Sequence, residues 1–289
     1  MKALSGHTRP YAVLGHPIGH TLSPVMHNAA FESLGLDSIY LAFDVAPGQL
    51  LEILPAMKNM GFGGVNLTAP LKEVAFKGLA NLAESARRLG AVNTVQFTTD
   101  GMIGHNTDGL GFLTAVRESL DFQVNGKTIF VLGCGGAGRA VAIAAAGDGA
   151  RHLILADLDE SRCRGVARDI AALSLPTRVD WAGPSVKDWI LRTHEADLMI
   201  QASPVGMKAD DVCPLPPQAF RPGQKAFDLV YNRPSTCFTL AAIQGGAQAA
   251  NGLGMLLHQG AAAFTIWTGK PAAIGVMRTA LEAALYTPS

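Results

Sequence analysis

The chain has 289 residues, and 23 Lys and Arg residues balance 23 Asp and Glu residues, so its formal net charge is zero. This balance excludes the strong positive field by which proteins attract nucleic acids or acidic membrane surfaces. The length suits about two domains, on a prior of ~150 residues each.

The N-terminal region predicts alternating strands and helices. Residue 23 is a serine followed by Pro24, which favours Ser23 as the N-cap of a helix with proline at its first position. A strand that is followed by a helix and then by another strand favours an α/β domain with a parallel sheet. The pattern predicts strands at residues 11–14, 40–45, 64–68 and 91–98 and helices at residues 24–34, 48–60 and 79–89. Leu110, Leu113, Val116 and Leu120 predict a further helix after Asp108 that could bridge the two domains.

Residues 127–159 contain a dinucleotide-binding pattern. An apolar strand is followed by G-x-G-x-x-G at Gly133, Gly135 and Gly138, then by an alanine-rich helix and a second apolar strand that ends at Asp157. The glycines permit a tight turn and a close approach of backbone to a pyrophosphate, which the helix N-terminus then faces. An acidic residue about 20 positions on suits the ribose hydroxyls. The segment therefore predicts a Rossmann domain that binds NAD or NADP.

The rest of the chain continues the α/β alternation. Strands are predicted at residues 197–202 and 226–231, a proline-rich loop at 213–222, and two helices at 255–267 and 271–286.

Polar side chains follow the ends of several N-terminal strands, where open α/β sheets bind ligands. Thr21 and Ser23 are two residues apart in an extended segment, so their hydroxyls point the same way and suit a carboxylate or a polyol. Asn66 and Thr68 have the same spacing, and Lys72 follows a proline turn. Each feature also has a plainer interpretation, since Ser23 suits a simple helix cap and a lysine after a turn is usually a solvated charge.

Taken together, these clusters resemble the shikimate dehydrogenase family. Its members carry the patterns S-x-S-P-x-x-H-N, N-x-T-x-P-x-K, G-A-x-N-T and N-T-D-G, followed by the glycine loop and A-T/S-P-x-G-M. The matching segments are residues 21–28, 66–72, 90–94, 106–109, 133–138, 202–207, 231–232 and 254–259.

The resemblance implies a reversible NAD(P)-dependent oxidation of shikimate, or of quinate, to the 3-dehydro ketone. It implies Lys72 and Asp108 as a catalytic pair that relays the hydroxyl proton while hydride moves to or from the nicotinamide. The substrate-binding residues that it implies are Thr21, Ser23, Asn66, Thr68, Asn93, Tyr231 and Gln259. The cofactor-binding residues are Gly133, Gly135, Gly136, Ala137, Gly138, Asp157, Arg162, Ser203, Val230, Gly252 and Met255.

Two departures from the family pattern bear on specificity. NADP-using members have Asn-Arg-Ser/Thr where this chain has Asp157-Leu158-Asp159. Because Asp157 repels a 2′-phosphate and suits a free 2′-hydroxyl, we expect NAD to be favoured over NADP, with Arg162 and Arg164 as nearby residues that could restore NADP binding. Thr21 replaces the first family serine; both changes resemble the quinate/shikimate branch, but a single methyl does not decide between the two acids.

These observations predict a two-domain α/β enzyme. Residues 1–107, completed by residues 253–289, form the substrate domain with a parallel sheet, and residues 108–252 form the Rossmann domain. Rival interpretations are a dehydrogenase of a related ring such as an aminoshikimate, and a ligand-sensing regulator without turnover.

His105 lies beside Asp108, and its plainer interpretation is a polar loop residue rather than a second acid or base.

Location and partners are predicted from the same sequence. The four cysteines form no C-x-x-C pair, which favours neither a zinc site nor a disulfide framework and is typical of a reducing cytoplasm. His16 and His20 are separated by a proline and a glycine that disfavour a helix, so we expect no metal. No apolar run reaches the ~18 residues of a membrane span, and the first residues lack the apolar core of a signal peptide. We expect a monomer or homodimer that binds neither nucleic acid nor membrane.

Overall fold

The structure is a computed structural model that describes residues 4–208 and 210–286. The chain divides into two compact units. The first unit runs to Asp108 and resumes at Leu257, and the second comprises Gly109–Leu256.

The first unit contains a six-stranded sheet flanked by helices. Its strands are β1 (Arg9–Gly15), β2 (Ser38–Asp44), β3 (Gly64–Leu67), β4 (Asn81–Leu82), β5 (Thr94–Thr98) and β6 (Gly101–His105). The helices of its N-terminal segment are α1 (Ser23–Ser33), α2 (Leu50–Asn59), α3 (Leu71–Gly78) and α4 (Glu84–Leu89). Helix α5 (Asp108–Leu120) begins at Asp108, the last residue of that segment. The strand order is β2-β1-β3-β5-β6-β4.

The sheet of the first unit is mixed. Strand β1 pairs in parallel with β2 and β3, whereas β5 is antiparallel to both β3 and β6. The sequence predicted the α/β class correctly. Within the sheet, β5 runs opposite to both of its neighbours, and the tight turn to β6 accounts for one of these two antiparallel pairings. Buried Leu14, Val65 and Val95 of the sheet pack with Leu54 and Leu71 of the helices.

The second unit has a wholly parallel six-stranded sheet in the order β12-β11-β10-β7-β8-β9. Its strands are β7 (Thr128–Leu132), β8 (His152–Ala156), β9 (Arg178–Trp181), β10 (Leu198–Gln201), β11 (Lys225–Asp228) and β12 (Gln248–Asn251). Its helices are α6 (Gly136–Gly147), α7 (Glu160–Ala172), α8 (Val186–Thr193) and α9 (Cys237–Gln244). A parallel sheet covered by helices is the Rossmann-like arrangement that the glycine motif predicts.

The chain ends in α10 (Leu253–Thr268) and α11 (Ile274–Tyr286), and the first unit includes them from Leu257 onward. The indole Nε1 of Trp267 donates to the carbonyl of Val95 at 3.0 Å. The ring of Trp267 contacts that of Tyr11 and the ring of Phe264 contacts that of Phe31, both in tilted arrangements with centroids 5.4 Å and 5.2 Å apart. These aromatic contacts attach the C-terminal helices to the N-terminal sheet. No helix within residues 4–208 and 210–286 is both long and apolar enough to cross a membrane.

Three local predictions were wrong. Residues 79–89 do not form one helix, because Asn81 and Leu82 pair with β6 and only Glu84–Leu89 is helical. Ser23 is not the cap of α1, since Leu22 holds that position and no side chain caps the helix. His105 is the last residue of β6 rather than a loop residue, and its Nε2 lies 3.3 Å from Oε1 of Gln96.

His27 of α1 is a buried histidine surrounded by aromatic rings. Its imidazole stacks on Tyr40, with the ring centroids 4.3 Å apart and the planes 8° from parallel. Neither ring nitrogen has a hydrogen-bond partner within the described part of the chain. Burial disfavours the charged imidazolium and lowers the pKa of His27 to about 3.

We expect His27 to make folding sensitive to acid. Between about pH 6.5 and pH 3 the imidazole is protonated in the unfolded chain but stays neutral in the folded chain. Protonation therefore favours the unfolded state, so the unfolding free energy has its full value above pH 6.5 and decreases as the pH falls. The contribution to the slope of the unfolding free energy approaches ~1.4 kcal/mol per pH unit. Chemical denaturation of wild type and of His27→Phe between pH 4 and pH 7 measures it, and His7→Phe at an exposed position is the control.

Asp228 changes the unfolding free energy with pH in the direction opposite to His27, so the wild-type slope alone does not measure His27. Burial raises the pKa of the Asp228 carboxyl to about 6, so its folded form is most favourable at low pH. Asp228 is present in both proteins, and the difference between them isolates His27. Equal slopes in wild type and His27→Phe would contradict a neutral buried imidazole.

Candidate active site

The first unit contains a lysine–aspartate pair. Lys72 is the second residue of α3, Asp108 is the first residue of α5, and Nζ of Lys72 lies 2.7 Å from Oδ2 of Asp108. The side chains of Lys72 and Asp108 are 32% and 12% exposed, so the pair is partly buried and the lysine is its more accessible member. The N-terminus of α5 also favours the negative charge of Asp108.

Two asparagines fix the position of Asp108. Asn93 donates from Nδ2 to Oδ1 of Asp108 at 2.8 Å, so both carboxylate oxygens of Asp108 have a donor. Asn106 accepts the backbone N–H of Asp108 at its Oδ1 (2.9 Å) and donates from Nδ2 to the carbonyl of Ala91 (2.9 Å). The first turn of α5 is therefore tied to the loop that precedes β5.

Four polar side chains connect the start of α1 to β3. Thr21 and Ser23 have their hydroxyl oxygens 3.3 Å apart. The hydroxyl of Ser23 lowers the pKa of Tyr40 and so opposes in part the rise that burial causes. Tyr40 donates from its hydroxyl to Oδ1 of Asn66 at 2.6 Å. The predicted residues Thr21, Ser23 and Asn66 thus lie in one polar cluster around a tyrosine that the sequence did not single out.

The remaining predicted substrate residues lie in both units. Gln259 has its Oε1 3.5 Å from Nδ2 of Asn93, so α10 brings it to the Lys72–Asp108 pair. Thr68 directly follows β3, and its backbone N–H donates to the carbonyl of Leu14. Tyr231 belongs to the second unit, so its predicted role as a substrate residue stays a prediction.

The glycine loop of the second unit follows β7. Gly133 has φ of 95°, a left-handed conformation that disfavours residues with a Cβ. A Cβ on Gly138 would overlap the carbonyl of Gly133, so only glycine lets α6 approach this closely. Gly135 and Gly136 face open space where a Cβ would touch nothing. The loop thus leaves its N–H-bearing surface open to a phosphate group, as a dinucleotide requires.

A cavity of about 740 Å³ lies next to this loop. Its size suits a nucleotide-sized ligand, since ligand pockets measure about 300–1,000 Å³. Five predicted cofactor residues line it, namely Gly133, Gly135, Asp157, Arg162 and Ser203. Its other walls are largely apolar. Leu158, Pro204 and Val205 belong to segments that the sequence analysis singled out, whereas Val186, Trp189 and Val212 were not foreseen from sequence. Six other predicted cofactor positions lie outside this lining, namely Gly136, Ala137, Gly138, Val230, Gly252 and Met255.

Asp157 occupies the end of β8 and contacts the glycine loop. Its Oδ2 accepts the N–H of Cys134 at 2.8 Å, and its Oδ1 accepts the N–H of Asp159 at 3.0 Å. Each carboxylate oxygen has further lone pairs for a ligand hydroxyl. Asp157 therefore places a negative charge at the wall of the cavity.

Two nearby arginines face carboxylates of their own. Arg162 lines the cavity, and its Nε lies 3.6 Å from Oδ2 of Asp159. Arg164 forms a 2.8 Å ion pair with Glu160 and lies over the ring of Trp181, 5.6 Å from its centroid. Arg164 lies outside the cavity lining, whereas Arg162 is the cation among the described lining residues.

Gln201 is a residue of this region that sequence analysis missed. It is fully buried at the end of β10, accepts the N–H of Ser203 at Oε1 (2.9 Å) and donates from Nε2 to the carbonyl of Val205 (2.7 Å). It thereby shapes the loop that lines the cavity. A glutamine in an otherwise apolar strand is the signal that could have revealed it.

The chain is similar to known dehydrogenases over almost its whole length. Residues 13–95 match the model of the shikimate dehydrogenase substrate binding domain, and residues 252–282 match that of the shikimate 5'-dehydrogenase C-terminal domain. The chain is 44% identical to a shikimate dehydrogenase (NADP(+)) of Moorella thermoacetica, over 96% of this chain and 94% of that protein. The fold and sequence together define a nicotinamide-dependent dehydrogenase, and the chain belongs to the shikimate dehydrogenase family.

Solved structures agree with this assignment. A shikimate 5-dehydrogenase of Listeria monocytogenes in complex with shikimate and NAD superposes with a TM-score of 0.90 at 33% identity, covering 97% of this chain and 99% of that chain. A quinate dehydrogenase of Corynebacterium glutamicum in complex with NAD gives a TM-score of 0.88 at 29% identity, covering 96% and 99% of the two chains. The predicted family and fold class are therefore confirmed.

Proposed function

We propose that this protein catalyses the reversible oxidation of a ring hydroxyl of shikimate or quinate to the 3-dehydro ketone, with NAD(P) as hydride acceptor. The observation that carries the proposal is the 2.7 Å Lys72–Asp108 pair, with Asn93 donating to Asp108 and all three residues at the family's motif positions. The same chemistry is supported by a relative and a structural neighbour that are named as shikimate dehydrogenases, and by a neighbour that is named as a quinate dehydrogenase.

Lys72 is the proposed proton carrier. In the oxidation its neutral amine takes the hydroxyl proton and becomes an ammonium, and in the reduction the ammonium gives that proton to the carbonyl oxygen. Asp108 lies against its Nζ and balances the charge that appears there. When bound, the nicotinamide accepts or supplies the hydride. The neutral hydrogen-bonding groups of Thr21, Ser23 and Gln259 suit the hydroxyls and carboxylate of a small polyhydroxy acid.

The second unit is the proposed nucleotide-binding domain. Gly135 and Gly136 leave space along the loop, as backbone contact with a pyrophosphate requires. Asp157 is the proposed acceptor for the ribose hydroxyls. Binding at Val230, Gly252 and Met255, a cytoplasmic location, and a monomeric or homodimeric state stay predictions.

Steady-state kinetics with shikimate and quinate, each with NAD and NADP, test the proposal. We expect turnover with at least one of the two acids. A related ring acid, such as an aminoshikimate, is the alternative if neither reacts but another does. Binding of the acid without any turnover would instead identify a ligand sensor and would contradict the proposal.

We further propose that NAD is preferred over NADP by at least ~10-fold in kcat/KM, equivalent to about 1.4 kcal/mol. The reason is that Asp157 would bring its carboxylate close to a 2′-phosphate, while Arg164 is paired with Glu160. The NADP(+) names of several relatives point the other way, so the measurement is decisive.

The variant Asp157→Asn/Leu158→Arg should shift the preference toward NADP, since it removes the repulsion and adds a phosphate partner at a position that lines the cavity. Arg164→Ala, at a residue paired outside the cavity lining, is the control that should leave the ratio unchanged. A wild-type enzyme that favours NADP would show that Arg162 binds the phosphate despite Asp157.

A further inference from the structure

A buried chain of hydrogen bonds runs from β2 to the Lys72–Asp108 pair. It starts at the hydroxyl of Tyr40, passes through Asn66 and Thr94, and reaches Asp108 through Asn93. Thr94 is fully buried and Tyr40 is 1% exposed, so solvent does not compete for these bonds. Neither residue was among the predicted site residues.

Backbone groups determine the orientation of both asparagine amides. The N–H of Thr107, which can only donate, lies 2.8 Å from Oδ1 of Asn93, so this atom must be the oxygen. The carbonyl of Asn93, which can only accept, lies 3.1 Å from Nδ2 of Asn66, so this atom must be the nitrogen. The two amides therefore have one orientation each, independent of any assumption about side-chain flips.

The direction of every other bond in the chain follows from these two orientations. The hydroxyl of Thr94 lies 2.9 Å from Nδ2 of Asn66 and 2.9 Å from Oδ1 of Asn93. It must accept from the first and donate to the second, because an amide NH₂ has no acceptor and an amide oxygen has no proton. Tyr40 likewise donates to Oδ1 of Asn66. All donors thus point from Tyr40 towards Asp108.

These bonds hold the amide of Asn93 in a single orientation towards Asp108. With Oδ1 held by Thr94 and by the backbone of Thr107, its NH₂ group faces Oδ1 of Asp108. If the amide turned over, its oxygen would face the carboxylate oxygen, and the two would repel each other. The Asp108 carboxylate would then lose a donor and its fixed position beside Lys72.

We infer that Thr94 and Tyr40 are positioning residues of the reaction, which hold the NH₂ group of Asn93 on Asp108 and thereby keep the carboxylate in place beside Lys72. The inference rests on the proposed function, since it gives these residues a role only if the Lys72–Asp108 pair transfers the proton. Uniform donor direction along a buried chain also strengthens each bond by polarising the next.

Thr94→Val tests the inference, because it removes the hydroxyl and keeps the shape of the side chain. We expect kcat to fall about 10- to 100-fold, the scale of a misplaced catalytic group, with a smaller change in KM. Thr94→Ser keeps the hydroxyl and should restore most of kcat. Thr98→Val, on the same strand β5 but outside the chain of bonds, is the matched control and should leave kcat unchanged.

A double variant separates positioning from general stability. In the Asp108→Asn background the carboxylate is already absent, so adding Thr94→Val should lower kcat by less than about 2-fold, measured at high enzyme concentration. Losses that multiply in the double variant, or an unchanged kcat in folded Thr94→Val, would overturn the inference. If Thr94→Val does not fold, Tyr40→Phe, which removes one oxygen further along the chain, must show the same loss and the same non-additivity.

The outcomes distinguish this inference from the proposed function. If Asp108→Asn retains full turnover, the proposed proton-transfer pair is wrong. If Asp108→Asn loses turnover while Thr94→Val and Tyr40→Phe retain it, only the positioning role is wrong.

Discussion

Replacing Lys72 by alanine should lower kcat by roughly 10²–10⁴, the usual range for the loss of a proton-transfer group. This corresponds to about 2.7–5.4 kcal/mol of transition-state stabilisation. The reason is that no other cation contacts Asp108 in the described hydrogen bonds and ion pairs, so nothing replaces the ammonium at 2.7 Å. The effect on KM should be smaller, because the substrate has several other hydrogen-bonding partners.

The control for this experiment lies on the same helix. Lys77 is an exposed lysine in the last turn of α3, and Lys77→Ala should leave kcat unchanged. Initial-rate measurements over a range of acid concentrations separate kcat from KM. Turnover close to wild type in Lys72→Ala would show that Lys72 is only a solvated charge.

Replacing Asp108 by asparagine should abolish most turnover while the protein stays folded. The substitution keeps the size of the side chain but removes the negative charge beside Lys72. An amide has one oxygen for two facing donors, so it can satisfy Asn93 while the partly exposed Lys72 turns to water. The change in unfolding free energy should therefore be on the order of 1 kcal/mol or less.

Thermal denaturation and initial rates on the same preparation distinguish the two roles of Asp108. Asp100→Asn, in the exposed turn between β5 and β6, is the control and should change neither quantity. A large loss of stability with retained specific activity would show that Asp108 is only a structural residue of α5.

The nucleotide-binding loop could be predicted from sequence because its determinants are local. Gly133 needs a positive φ and Gly138 needs to lack a Cβ, and both requirements arise within six residues of chain. The strand before the loop and the acidic residue at the end of β8 supply the context. Local spacing therefore sufficed to identify the loop.

The polar network around Asp108 could not be predicted in this way. Thr94 belongs to a family motif but has no role that the motif reveals, and Tyr40 looks like an ordinary core aromatic, until tertiary pairing places them on either side of Asn66. The same limit explains residues 79–89, whose helical pattern is interrupted because Asn81 finds a partner strand some 20 residues later. Hydrogen-bond direction is a property of the assembled sheet, and no spacing rule encodes it.

The exposure of Leu158 has a consequence for how such enzymes diverge. Leu158 lines the nucleotide cavity yet is 77% exposed, so substitutions there touch little of the core. Surface changes of this kind usually alter stability by less than about 0.5 kcal/mol. A substitution at Leu158 can therefore change the choice between NAD and NADP with little cost in stability. Asn93, by contrast, has several buried partners that a substitution would leave unsatisfied. Cofactor choice and proton transfer thus depend on separate residues, so one can change while the other is kept.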